Sequence, residues 1–153
     1  MRSVPSNRAQ TKSVILLVDD NRDGVLARRS VLEELGYEVV SAGCGSDALK
    51  LAEDQDFDLV ITDYKMAPMD GLKLIAGLRE RKFERPIILL TGFAETLGLR
   101  PETTGADIVI QKSANEIATL VRSAKRLLSP PRKPAGSYGS RKPSRLRAGG
   151  SEA

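Results

Sequence analysis

The sequence predicts an α/β domain built on a five-stranded parallel sheet, and three observations carry that prediction. Apolar runs of strand length, SVILLV (13–18), DLVIT (58–62) and PIILL (86–90), lack the alternation of a half-solvated sheet and read as strands covered on both faces. Segments with apolar residues at helical spacing stand between them. The connections are short, and strands alternating with helices through short loops form βαβ units.

Each element follows in order. Ser13–Val18 is the first strand, stopped by Asp19-Asp20-Asn21, where Asp20 or Asn21 can cap a helix. Val25, Leu32 and Leu35 then recur at helical spacing, and Gly36 ends the helix. Tyr37–Ser41 is a short strand and Ser46–Gln55 a short helix with Ala48, Leu51 and Ala52 inward. Asp58–Thr62 runs into Asp63, and Gly71–Lys82 is helical with Leu74, Ile75 and Leu78 packing. Pro86–Leu90 runs into Thr91-Gly92. Gly98, Pro101 and Thr103-Thr104 then disfavour a long fourth helix, which is expected to be short or broken. Asp107–Ile110 is the last strand. Ile117, Leu120, Val121, Ala124, Leu127 and Leu128 mark the last helix, ended by Pro130-Pro131. The expected architecture is flavodoxin-like (βα)5, with strand order 2-1-3-4-5 and helices on both faces.

Three segments result: a flexible arm over 1–12, a folded unit over 13–128, and a basic Pro/Gly/Ser-rich tail over 129–153 with little to bury, expected to be disordered. Charge follows this division. Residues 12–128 hold 16 basic and 19 acidic side chains, while 129–153 hold six basic and one acidic, so the excess of positive charge belongs to the ends. No apolar run approaches the length of about 20 residues that a membrane span needs. The lone Cys44 and the lack of an apolar leader in 1–12 suit a cytoplasmic chain. The chain has no histidine, which excludes Ser-His and Cys-His nucleophile pairs, histidine metal ligands and an internal phosphohistidine relay. Any phosphoryl group must come from another molecule.

In an open parallel sheet, ligands bind outside the C-terminal ends of the strands at the switch point. Asp19, Asp20, Asp63, Thr91 and Lys112 all fall at such ends. Order 2-1-3-4-5 brings strands one and three side by side, so the three carboxylates are expected to converge within a few ångströms. Carboxylates that close repel, and one of them should retain a proton toward neutrality unless a cation intervenes. Acidic oxygens suit a hard cation such as Mg²⁺, and Lys and Thr suit a phosphoryl group. Together they read as a phosphoryl-acceptor site, where positioning and charge neutralisation supply most of the catalysis.

At the segments VILLVDDN (14–21), DLVITDYKMAPMDG (58–71), PIILLTGF (86–93) and DIVIQKS (107–113), the chain resembles the response-regulator receiver domains of two-component signalling, as in the chemotaxis response regulator. The resemblance covers roughly residues 12–128. It implies that Asp63 accepts a phosphoryl group from a phosphohistidine on a sensor histidine kinase or phosphotransfer protein. It implies that Asp20, Asp63 and the backbone carbonyl of Lys65 ligate Mg²⁺, with Asp19 acting through water. Thr91 would hydrogen-bond the phosphoryl group and Lys112 would pair with it. Phosphoryl transfer and later hydrolysis are self-catalysed in the family, so no conventional enzyme is implied.

Three positions depart from the family pattern. Val109 stands where an aromatic is usual, which removes the usual partner of the threonine in signal coupling. Lys112-Ser113 replaces the Lys-Pro pair, and the loop proline is displaced to Ala67-Pro68. Lys65 and Phe93 are expected to shield the acyl phosphate from water, and residues 94–106 to move on phosphorylation. No effector motif is present, so the expected output is contact with a downstream protein target, and a homodimer is compatible with the sequence. The basic tail is read as solvated and not as a nucleic-acid arm, and no membrane partner is implied. Two alternatives stand beside this reading: a receiver fold used only for docking or dimerisation, and a receiver fragment of a hybrid kinase. A P-loop and the Asp-x-Asp of haloacid-dehalogenase-like phosphatases are absent, and the loop after strand one is too acidic for a flavin phosphate.

Overall fold

The computed structural model describes residues 12–92 and 97–129. The arm through residue 11, Phe93 and the tail from residue 130 therefore lie outside the described residues. The elements are β1 (Val14–Val18), α1 (Arg22–Glu34), β2 (Glu38–Ala42), α2 (Gly45–Asp54), β3 (Leu59–Asp63), α3 (Gly71–Glu80), β4 (Ile87–Thr91), α4 (Pro101–Thr104), β5 (Ile108–Gln111) and α5 (Glu116–Leu128). The strands pair in parallel in the order β2-β1-β3-β4-β5, as the sequence predicts.

Side chains alternate across a strand, so each apolar run feeds two cores. Leu16, Val18, Val60, Ile87 and Leu89 pack on one face with Leu74, Ile75 and Leu78 of α3 and Ala48 of α2. Ile15, Leu17, Ile61, Ile88 and Leu90 pack on the other with Leu32 of α1 and Leu120 and Ala124 of α5. Helices on both faces explain why β3 and β4 carry no solvent-facing position: all five residues of each are buried.

The boundaries differ from expectation in an instructive way. β2, β3, β4 and β5 each run one residue later than predicted, and β1 starts one later. Asp58 and Asp107 precede the strands they are expected to open, and their carboxylates serve the neighbouring strand: Asp58 Oδ2 accepts from Val14 N at 2.8 Å and Asp107 Oδ2 from Ile87 N at 2.8 Å. A side chain thus stands in for the missing ladder partner. At the far end the ladder takes in Asp63, paired with Leu90, and Thr91, paired with Gln111. Both polar residues are therefore fixed by strand geometry rather than by loops.

Helix ends needed local detail. Asn21 is the cap of α1, its Oδ1 accepting from Gly24 N at 2.9 Å. α3 stops at Glu80 instead of Lys82, because Lys82 adopts φ 67° and its N–H bonds back to Arg79 O at 3.0 Å. A lysine in the left-handed region carries no glycine signal that a sequence could show. Leu35, expected to pack, is the C-cap of α1 and 37% exposed. α4 is a single turn, as its composition predicts.

Arg79 ties the end of the domain opposite the strand C-termini. It donates to Phe83 O (2.8 Å), Arg85 O (2.9 Å) and Gly105 O (3.0 Å), and pairs with Asp107 Oδ2 at 3.0 Å. One planar fork thereby joins the α3–β4 loop to the α4–β5 loop. Water can reach the freed carbonyls, so Arg79→Ala should cost about 2 kcal/mol rather than the sum of the bonds. Chemical denaturation checks this.

Candidate functional site

Outside the C-terminal ends of β1 and β3 lies an open cavity of about 500 Å³, lined by Asp19, Asp20, Asn21, Asp23, Gly24, Arg28, Asp63, Lys65 and Lys112. β1 ends into Asp19-Asp20, β3 ends on Asp63, and Lys112 follows β5. Lys112 is held there by its own backbone, whose N–H donates to Thr91 O at 2.8 Å. Five of the six residues singled out from the sequence share this cavity. The sixth, Thr91, is buried at the end of β4 and does not line it.

Asp63 is 5% exposed and Asp19 4%, whereas Asp20 and Lys65 are exposed. The Lys112 ammonium forms an ion pair with Asp63 Oδ1. Apart from that charge contact, this buried oxygen has no hydrogen-bond donor. Burial is the main influence on the Asp63 carboxyl and raises it above the ordinary aspartate range. Lys112 opposes that rise, the charge on Asp19 adds to it, and Arg28 opposes it again. The expectation that one carboxyl holds its proton more tightly thus falls on Asp63.

The expected convergence of three carboxylates needs correction. Asp19, Asp20 and Asp63 line one cavity, but among the described residues no three acidic or cysteine side chains already stand close enough to hold a metal ion. Asp19 is engaged by Arg28 instead. The arginine's Nη1 donates to Asp19 Oδ2 at 2.6 Å and its Nε to Glu116 Oε2 at 2.6 Å. Asp19 Oδ1 accepts from Asn21 N at 3.0 Å, so both oxygens of Asp19 are engaged. Burial works against the charge of Arg28, but Glu116 and Asp19 more than offset it, so the guanidinium is held firmly protonated.

Sequence reasoning passed over Arg28. Charged side chains are seldom buried, so an arginine in an amphipathic helix is read as solvated by default. A signal was present all the same. Val25 and Leu32 are seven apart on the inward stripe, and position 28 lies three after the first and four before the second, on the same face.

The donor set fits a hard divalent cation. Asp19, Asp20 and Asp63 line one cavity at a sheet edge, the buried Asp63 Oδ1 has only the Lys112 ammonium beside it, and burial together with a neighbouring negative charge disfavours the ionised form that a cation would stabilise.

The family model of the response regulator receiver domain matches residues 15–124. The chain belongs to that family. Such receiver domains act in two-component signalling, where histidine kinases phosphorylate them, and they bind Mg²⁺ in the active site. The alkaline phosphatase synthesis transcriptional regulatory protein PhoP of Bacillus subtilis is 36% identical over 115 residues, 71% of this chain and 47% of PhoP. The CAI-1 autoinducer sensor kinase/phosphatase CqsS of Vibrio cholerae is 33% identical over 126 residues, 79% of this chain and 18% of CqsS. The receiver thus spans less than half of either relative. Among solved structures, the Thermotoga maritima response regulator TrrA, in complex with Mg²⁺-BeF, superposes with a TM-score of 0.68 at 34% identity, covering 76% of this chain and 99% of TrrA. TrrA has also been solved in complex with the histidine kinase ThkA. The receiver domain of a sensor histidine kinase from Pseudomonas aeruginosa, with magnesium in its active-site cleft, gives 0.68 at 28% identity, over 76% of this chain and 98% of that one.

Lys65 lines the cavity of the receiver, whereas Phe93, its expected partner in shielding an acyl phosphate, lies outside the described residues. Among the described residues no helix is long and apolar enough to cross a membrane.

Proposed function

We propose that this receiver domain takes a phosphoryl group onto Asp63 from a phosphohistidine on a sensor kinase or phosphotransfer protein. The observation that carries the reading is the state of Asp63: a buried carboxylate facing the cavity, with one oxygen matched only by the Lys112 ammonium. Asp63 Oδ would form the bond to phosphorus as the bond from phosphorus to the donor nitrogen breaks. Asp20, Asp63 and the carbonyl of Lys65 would hold Mg²⁺, with Asp19 acting through water, and the ion supplies positive charge to the phosphoryl oxygens. Lys112 would exchange the carboxylate it now pairs with for a phosphoryl oxygen. Thr91, buried one strand away, would donate its hydroxyl to another.

An aspartyl phosphate carries a charge of roughly −1.5 to −2 where the carboxylate carried one. Drawing Lys112 and Thr91 toward it would shift the loops after β4 and β5, and residues 94–106 are where that movement would be read by a downstream protein target. The cytoplasm is the compartment in which this would occur. The relatives that are themselves sensor kinases support a second reading, in which the same site serves as the receiver of a hybrid kinase.

Intact mass after incubation with Mg²⁺ and a small-molecule phosphodonor tests the chemistry. One phosphoryl adduct is expected, and none should form when the metal is chelated beforehand. No adduct under conditions that label another receiver would leave a docking or dimerisation module as the function.

A further inference from the structure

Arg28 is a buried cation inside a pocket built to receive another cation. Its side chain is 8% exposed, bonded at 2.6 Å to Asp19 on one side and to Glu116 on the other. Gly24, one turn earlier, keeps the space open: a Cβ there would stand 3.0 Å from both Arg28 Nη1 and Asp19 Oδ2. The chain thus gives up a side chain in α1 to seat this pair. Burying a guanidinium is costly unless its partners are well placed, and here two carboxylates from separate elements, the start of the β1–α1 loop and the first turn of α5, provide them.

We propose that Arg28 is a built-in counter-cation that sets how tightly the pocket binds a divalent metal, and that Glu116 tunes it by sharing its charge. The inference rests on the reading of the cavity as a metal and phosphoryl site. Arg28 holds Asp19 in the metal-free protein, so the carboxylate repulsion that would otherwise favour metal entry is already partly relieved. A metal entering beside Asp63 meets the positive charge of Arg28 as well as the negative charge of Asp19. Glu116 draws part of the guanidinium away from Asp19 and offsets its field. The two residues therefore act on metal affinity in opposite directions, although neither is placed to touch the metal.

Isothermal titration of Mg²⁺ into the full chain, without phosphodonor and at fixed pH and ionic strength, tests this. Arg28→Met keeps the length of the buried stem and removes the charge, and should bind Mg²⁺ about tenfold more tightly than wild type, the order expected for losing one positive charge whose field at the ion is largely screened by solvent and by its own two carboxylate partners. Glu116→Gln should bind it about threefold more weakly, since Arg28 then has Asp19 as its one anionic partner. A packing role alone would weaken binding in both variants or leave both unchanged, and either result overturns the proposal. Should Arg28→Met fail to fold by circular dichroism, the decision passes to Glu116→Gln, for which unchanged or tighter binding overturns it. A wild-type chain that binds no Mg²⁺ contradicts the underlying reading of the cavity itself, which is distinct from equal affinities across the series.

Discussion

Asp63→Asn is expected to abolish phosphoryl uptake completely and, in the same molecule, to make the metal-free fold more stable. Both effects follow from one environment. The carboxylate is buried beside Asp19, and burial and that neighbour both favour its neutral form, with Lys112 and Arg28 only partly compensating. An amide has the same shape and no charge to desolvate, and the Lys112 ammonium, 34% exposed, can turn to water. Removing a charge kept for function commonly stabilises a protein by about 1 kcal/mol, which for a domain of this size is a few degrees of melting temperature. The sign of the pH dependence follows. A carboxyl whose value is raised in the folded state binds its proton more tightly there than in the unfolded chain, so its ionisation destabilises the fold. That penalty is absent below the unfolded value of about 4, grows as pH rises through the raised folded value, and is constant above it. Thermal unfolding of wild type and variant should therefore converge toward pH 4 and separate toward neutrality. Added Mg²⁺ should close the gap from the wild-type side, because the cation relieves the penalty that the amide lacks. Equal melting temperatures at pH 7 in chelator would mean that Lys112 and Arg28 fully neutralise the site.

The contrast between Asp63 and Arg28 shows what the sequence could and could not convey. Asp63, Thr91 and Lys112 are legible because each interrupts or follows a buried apolar run, and the end of such a run in a parallel sheet has a known place in space. The strand order needs little more than the alternation of runs and helical stripes. Arg28 is written in a different code. Its type announces exposure, and only its phase within the Val25–Leu32 stripe announces burial; the phase decides because Asp19 and Glu116 wait on that side. The shifted strand boundaries have a similar origin. Asp58 and Asp107 read as strand residues by position, but a carboxylate that accepts a neighbouring N–H replaces a ladder bond, which is a tertiary fact. Lys82 ends α3 in the left-handed conformation with Phe83 N bonded to Leu78 O, a termination stabilised by its bonds and not by the identity of the residue.

Gly71→Ala tests how closely the fold and the site depend on one another, and its effect should be large. Gly71 opens α3 directly after the loop from Asp63, and its N–H donates to Tyr64 O at 2.8 Å. The glycine is required for space: a Cβ would lie 2.4 Å from the carbonyl oxygen of Asp63, and 3.0 Å from both Tyr64 Cα and Leu89 Cδ1. Two of these three atoms are backbone and cannot rotate aside. Either the first turn of α3 lifts, breaking the cap in which Asp70 Oδ1 accepts from Lys73 N, or the end of β3 retreats with Asp63 on it. Overpacking of this kind costs about 2–3 kcal/mol, and with Asp63 as the proposed phosphoryl acceptor a displacement of its carboxylate by about 1 Å lowers the transfer rate about a hundredfold. Denaturant unfolding gives the first quantity and the rate of adduct formation with a small phosphodonor gives the second. Gly43→Ala is the matched control, since a Cβ there meets nothing within 4 Å. A Gly71→Ala protein that matched Gly43→Ala in both measurements would show that the β3–α3 approach has slack, and that Asp63 is held by the sheet ladder alone. Loss of rate with stability retained would instead place the strain on β3, the strand that ends in Asp63.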